Sequence, residues 1–288
     1  MLKTRVIPVV LLRNGIVVQS KGFKRYQLLG NPTTVVQRLS DWASDELIYL
    51  DITQDAAYDL GRDDLKHPNR HDILEIVSDV ARRCFMPLTF GGRIQSLADG
   101  AARLQRGADK IAINTRAVEE PKFITECAQA FGSQCVVVSI DVRASGAGRW
   151  EACTSGGRIP TGLDAVEWAR AAEQRGAGEI LLNSIDRDGS GRGYDLALVC
   201  AVVEAVSIPV IALGGVGDWS HFADVIRRTN VSAVAAANIF HYSEQSVYKA
   251  KKYLFDRGFN VRQPELLAVG PEEKHEPCAT ASDASTPR

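Results

Sequence analysis

Short apolar runs recur along this chain in two matched series. An internal repeat of that kind constrains the fold before any other feature does. In the first half the runs are VIPVV-Leu11, YL-Asp51, TF-Gly91-Gly92 and IAI-Asn114. In the second half they are VVVSI-Asp141, SI-Asp186, AL-Gly214-Gly215 and AAA-Asn238. Each run ends in a polar or glycine signature, so two half-units are built alike. At the first position of the series Asp141 stands opposite Leu11, an acid present on one side and absent on the other.

The runs read as strands over Val6–Val10, Glu46–Leu50, Leu88–Phe90, Lys110–Ile113, Cys135–Ile140, Glu179–Asn183, Pro209–Leu213 and Ala233–Ala237. Most are continuously apolar rather than alternating, which suits parallel strands buried on both faces. Amphipathic helices fall between them. Asn31-Pro32 reads as an N-cap and first helical residue, with Val35, Val36 and Leu39 at helical spacing. An apolar stripe runs along His71–Cys84 through Ile73, Leu74, Ile76, Val77 and Val80. Ser96 and Ser243 read as N-caps and Gly132 as a helix stop. Later helices are expected over Asp164–Arg175, Asp195–Val206, Trp219–Arg228 and Glu244–Arg257.

Eight strands alternating with eight helices mean an α/β fold, either a (β/α)8 TIM barrel or a doubly wound sheet. The half-to-half repeat favours the barrel, closed from two similar half-barrels. Its expected extent is residues 1–263. From Pro264 the periodicity ends, and residues 264–288, rich in Pro, Ser, Ala and charge, read as a flexible C-terminal tail.

At 288 residues, 45% apolar and 24% charged, the chain has the make-up of a soluble globular protein. A net charge of −1 gives no reason to expect nucleic acid or a membrane as partner. No apolar run approaches the roughly 20 residues of a membrane span, and Lys3 and Arg5 interrupt the start of the chain, so a cytoplasmic location is expected. The six cysteines show no C-x-x-C spacing, and most are expected to be buried thiols, with Cys135 opening a strand and Cys200 in an apolar helix. His67, His71, His221, His241 and His275 are scattered and unpaired with cysteine, so no metal is expected. No G-x-G-x-x-G follows a strand, so no nicotinamide cofactor is expected, nor any other.

In such a barrel the chemistry lies at the carboxyl ends of the strands. Gly214-Gly215-Val216-Gly217 there is either a tight turn or a cradle in which backbone N–H groups meet a phosphate. Gly91-Gly92 is its counterpart, and each pair is followed one strand later by Asn114 or Asn238. Two such sets suggest two anion sites facing each other across the barrel mouth. Asp186-Arg187-Asp188-Gly189 is a solvated turn or a loop holding substrate. Asp141 is either a structural partner of Arg143 or a general acid/base whose pKa is raised by partly apolar surroundings. Asp51 is the matching carboxylate on the second strand, more an orienter than an actor. At the opposite end Arg5, Glu46, Lys110 and Glu179 stand at strand starts, as a salt-bridged plug or as a gate to the barrel interior.

Several segments together resemble the cyclase subunit of imidazole glycerol phosphate synthase, in the histidine biosynthesis family. They are the strand ending Asp51-Ile52-Thr53, Ile113-Asn114-Thr115, FGSQ-Cys135-VVVSI-Asp141, Gly176-Ala177-Gly178-Glu179 and Ser184-Ile185-Asp186-Arg187-Asp188-Gly189. The match runs from Met1 to about Arg262. It implies a barrel of duplicated halves that takes ammonia from a glutaminase subunit and carries it to the top face. On that resemblance Arg5, Glu46, Lys110 and Glu179 form the ammonia gate and Asp109 faces the partner. The phosphate and substrate anchors are Gly91, Gly92, Arg93, Asn114 and Thr115 on one side. Asp188, Gly189, Gly214, Gly215 and Asn238 are those on the other.

Three departures from the family pattern matter. The first of its two catalytic aspartates falls on Leu11, while Asp141 matches the second. The glycine expected after Gly91-Gly92 is Arg93. The lysine expected in the first loop is Gln19, with Lys21, Lys24 and Arg25 nearby. Leucine moves no proton, and loss of a positioned acid/base costs roughly 10²–10⁴ in rate. Val9-Val10-Leu11-Leu12-Arg13-Asn14-Gly15 resembles the paralogous branch of surface-polysaccharide pathways that make acetamidino sugars. The leading expectation is therefore ammonia delivery to sugar amidination. Its partners are a class I glutaminase as heterodimer, a sugar amidotransferase, and a phosphorylated or nucleotide-linked substrate. The alternatives are a working cyclase (a lyase) of histidine biosynthesis and a non-catalytic scaffold that activates a glutaminase.

Overall fold

The computed structural model describes residues 2–55, 57–59, 70, 72–146, 148–244 and 246–266. The tail expected from 264 onward therefore lies almost wholly outside the described residues, as do His67, His71, His275 and Cys278. The strands are β1 (Arg5–Arg13), the hairpin β2 (Ile16–Lys21) and β3 (Arg25–Gly30), β4 (Leu47–Asp51), β5 (Leu88–Gly91), β6 (Lys110–Ile113), β7 (Val136–Gly146), the hairpin β8 (Arg149–Thr154) and β9 (Ile159–Asp164), β10 (Glu179–Ser184), β11 (Val210–Leu213) and β12 (Ala233–Ala236).

Strands β1, β4, β5, β6, β7, β10, β11 and β12 pair in parallel in that order, and β12 returns to β1, so the sheet closes. Helices connect them on the outside, and the fold is a (β/α)8 barrel. Two layers of apolar side chains follow from strands buried on both faces. Outward-facing Val6, Val10, Leu47, Tyr49, Phe90 and Val136 pack against the helices. Inward-facing Ile7, Val9, Ile48, Val137, Leu181 and Ile211 fill the barrel.

Local signals act as the residues dictate. Asn31 Oδ1 accepts from Thr33 N at 2.8 Å ahead of the helix Pro32–Asp41. Ser96 and Asp99 cap each other reciprocally at the start of Leu97–Gln105. Gly132, at φ +88°, ends Lys122–Phe131. The second helix, Ile73–Ala81, is capped by Asp72 and holds the whole apolar stripe, within the longer span His71–Cys84 that was expected. Ser243 is not an N-cap. The last helix begins at Ser246, whose hydroxyl donates to Phe240 O at 3.0 Å, so the polar turn runs further than the periodicity implies.

The cysteine expectation also needs correcting. Among the described residues only Cys127 and Cys153 are buried. Cys135 sits half-buried in a 3-10 turn ahead of β7, and Cys200 is half-buried with its thiol 3.2 Å from Glu204 Oε1. Apolar neighbours in sequence set the face a helix buries, not every residue on it.

The two hairpins were not expected. They occupy equivalent places, one after the first strand of each half, so the repeat extends to its insertions. β1 and β7 run past the barrel rim and pair antiparallel with β2 and β8. Asn14 (φ 51°) and Gly15 (φ +75°) form the two-residue turn that joins β1 to β2. No helix among the described residues is long and apolar enough to cross a membrane.

Candidate functional site

A cavity of about 530 Å³, the size of a small-ligand pocket, opens at the carboxyl ends of the strands. Leu11, Asp51, Gly92, Arg93, Asn114, Thr115, Asp141 and Asp188 line it. Chain segments more than a hundred residues apart in sequence thus converge on one space.

Asp141 ends the barrel portion of β7 and is 8% exposed. It does not pair with Arg143, whose guanidinium donates to Gly157 O at 2.7 Å. Its Oδ2 accepts from Asn114 Nδ2 at 2.8 Å and its Oδ1 from Asn183 Nδ2 at 3.1 Å. Burial pushes its pKa up to about 7. The two amide donors oppose the rise and the Asp188 charge adds to it. A carboxyl near neutrality with fixed orientation can both give and take a proton. Asn183 was missed at the sequence level, where it reads only as the last residue of a strand.

Across the mouth stands Leu11, joined in register to Leu50 on β4. Asp51, next along β4, turns out of this pair. Its Oδ1 accepts from Thr53 N at 3.0 Å and its Oδ2 from the Tyr58 hydroxyl at 2.8 Å. Burial and the Asp51 charge hold that phenol well above its ordinary pKa. Asp51 thus orients Tyr58, and the Arg93 guanidinium lies 5.6 Å from the Tyr58 ring centroid.

The first glycine pair is required by packing as well as by any ligand. A Cβ on Gly92 would fall 2.0 Å from Asp51 O, and φ there is +93°. Arg103, buried at 3% exposed, donates to Gly92 O at 2.9 Å and clamps the turn. Arg93 itself adopts φ 56°, a left-handed conformation uncommon for a side-chain-bearing residue. Thr115, which begins the short helix after β6, accepts from Ser155 N at 3.0 Å and ties that helix to the turn between β8 and β9.

The second set of anchors is arranged differently. Asp188 accepts from Ser20 Oγ at 2.7 Å and from Phe23 N at 3.1 Å. Asn238 Nδ2 donates to Ser20 O at 2.7 Å. Gly189 lies against Ser20 O and Lys21, where a Cβ would be 2.7 Å away, and Gly193 N donates to Gly215 O at 2.7 Å. Gly189, Gly214, Gly215 and Asn238 are not on the cavity wall. The β2–β3 hairpin is seated against Asp188 and Asn238 of this second set. Gln19 is buried on that hairpin, while Lys21, Lys24 and Arg25 are exposed and outside the cavity.

At the other end the four strand-start charges close a ring. Arg5 reaches Glu46 at 2.5 Å and Glu179 at 2.6 Å, and Lys110 reaches them at 3.3 and 2.7 Å. Burial alone would lower the Arg5 pKa, but the Glu179 and Glu46 charges outweigh it and raise it. Asp109 is exposed beside the ring and has a local task, its Oδ2 accepting from Leu88 N at 2.8 Å.

A closed (β/α)8 barrel with a buried carboxyl and polar side chains over its strand ends has the form of an enzyme-type barrel. A sequence profile described as histidine biosynthesis protein matches residues 5–246. The chain belongs to that family.

Proposed function

We propose that this barrel receives ammonia from a class I glutaminase subunit docked at its base and delivers it to C–N bond formation at its upper face. The sugar-amidination step of surface-polysaccharide synthesis is the proposed destination. The single observation carrying this is the complete basal ring of Arg5, Glu46, Lys110 and Glu179 combined with Leu11 opposite Asp141. Between ring and cavity the interior is apolar, lined by Ile7, Val9, Ile48 and Ala112 among others. Such a lining penalises ions heavily and a small neutral molecule little, so it favours ammonia over ammonium. In this reading Glu46 and Glu179 strip the proton-bearing form at the entrance, and Asp109 meets the partner.

Coupling of glutamine use to product tests the reading. In the reconstituted pair, Glu179→Ala is expected to keep glutamine hydrolysis running while product per glutamine falls. Unchanged coupling sinks the ammonia route.

One observation favours a second reading, a working imidazole glycerol phosphate synthase cyclase. Asp141 near pH 7 can serve as acid and base in turn. Steady-state turnover of the formimino-ribulosyl nucleotide with ammonium salts separates the two, since Leu11 predicts none above background.

A further inference from the structure

The outer side of the barrel carries a second cavity, about 570 Å³, again the size of a small-ligand pocket. It shares no residue with the cavity at the strand ends. Arg38 and Asp41 of the helix Pro32–Asp41 line it, with Trp42 just after them, Arg83 beyond the helix Ile73–Ala81 and Glu244 ahead of the last helix.

Arg38 and Asp41 stand about one helical turn apart, a spacing at which opposite charges pair. Here Arg38 turns away instead. Its guanidinium lies 5.1 Å from the ring centroid of the buried Trp42, and its Nη2 is 3.3 Å from His241 Nδ1. Burial, with the Arg38 charge adding to it, lowers the His241 pKa to about 4. The imidazole is therefore neutral at neutral pH, and its Nδ1 accepts from a guanidinium that can only donate. Stacking and this bond fix the Arg38 side chain, while its Nε stays buried and donates to nothing. Among the described residues the side chains of Asp41, Arg83 and Glu244 enter no ion pair or hydrogen bond.

One cleft thus holds two guanidinium groups and two carboxylates that do not neutralise one another. A ligand with only a negative charge meets the carboxylates, and one with only a positive charge meets the guanidinium groups. A ligand carrying one charge of each sign gains at both. Its carboxylate takes charge-assisted, bidentate bonds from a guanidinium, and its ammonium offers three donors to the carboxylates.

We infer that this cleft binds a free α-amino acid as its zwitterion, the carboxylate on Arg38 and Arg83 and the ammonium on Asp41 and Glu244. The site is separate from the ammonia route and stands or falls without it.

Calorimetric titration of the full chain with each of the common L-amino acids tests it, followed by the N-acetyl and carboxamide derivatives of the best binder. At least one amino acid is expected to bind at millimolar concentration or below. Each derivative lacks one of the two charges and is expected to bind about tenfold or more weakly. Arg38→Gln is expected to weaken binding as much, but it also removes the stacking on Trp42. Arg83→Gln and Glu244→Gln, at exposed positions, therefore carry the decision, each with an expected loss of about fivefold or more. The inference is overturned if no amino acid binds at millimolar concentration, or if either derivative binds as well as its parent amino acid. Affinity unchanged in both Arg83→Gln and Glu244→Gln overturns it too.

Discussion

Leu11 and Leu50 are cross-strand neighbours on β1 and β4, and Asp141 and Asn183 hold the corresponding register on β7 and β10. Glu46 and Glu179 begin the ring at the same distance before Leu50 and Asn183, so the two pairs are equivalent by position. The difference between the halves is thus a two-residue unit. One half carries a carboxylate with one of its two amide donors, the other carries two leucines.

A double-mutant cycle follows from that pairing. Leu11→Asp alone places a carboxyl where no amide donor waits, and is expected to destabilise by about 1–3 kcal/mol. Leu50→Asn added to it is expected to recover roughly 1 kcal/mol by supplying the donor. Urea denaturation of the four chains measures the coupling, and additive effects would contradict positional equivalence.

Stability against pH reports Asp141. Its folded pKa, about 7, lies above the ordinary carboxyl value near 3.9. Between those values the folded chain holds the proton that the unfolded chain has released. The contribution is therefore complete at low pH, falls as pH rises through that window, and levels above about 7. Relative to Asp141→Asn, the parent is expected to lose on the order of 4 kcal/mol at most across it. Parallel stability curves for the two chains would show that the carboxyl titrates normally.

The ring predicts a stability cost of its own. Lys110→Met leaves Glu46 and Glu179, both under one tenth exposed, with Arg5 alone. Removing one partner from a buried ionic group is expected to cost roughly 3–5 kcal/mol. A melting temperature within a degree or two of the parent's would mean that the ring is more solvated than its geometry indicates.

The hairpin seat is testable by hydrogen exchange. Ser20→Ala removes the hydroxyl that donates to Asp188, a bond to a charged acceptor contributing about 1.5–3 kcal/mol. Faster exchange is expected at the Gly22 and Phe23 amides, which also bond to residue 188, with no change at β4 or β5. Equal rates in both chains would show that the seat is held by packing instead.

The barrel was legible because its eight strands are apolar on both faces and its helix starts carry caps such as Asn31 and Ser96. The basal ring was legible because charge at the start of an apolar strand is conspicuous. Two things were hidden. The hairpin strands are short and mix polar with apolar residues without a clear period, so they read as loops, although Asn14-Gly15 is a turn signal that marks the first. Arg103, Tyr58 and Asn183 act only through contacts the fold creates, with Gly92, Asp51 and Asp141. Nothing in their own neighbourhoods in sequence announces those partners. The seat of the β2–β3 hairpin was hidden for the same reason, since Asp188 and Asn238 meet residues 20–23 only in the fold.

The β2–β3 hairpin belongs to the first half of the chain and rests on the second. Duplication gave each half its own hairpin, but this one stitches its neighbour's loop rather than its own. A half-barrel cut free, or swapped for a foreign one, would take away either the seat or the part that sits in it. Modular though the architecture looks, its halves are no longer interchangeable parts, and any chimera must carry the β2–β3 hairpin together with the Asp188 loop.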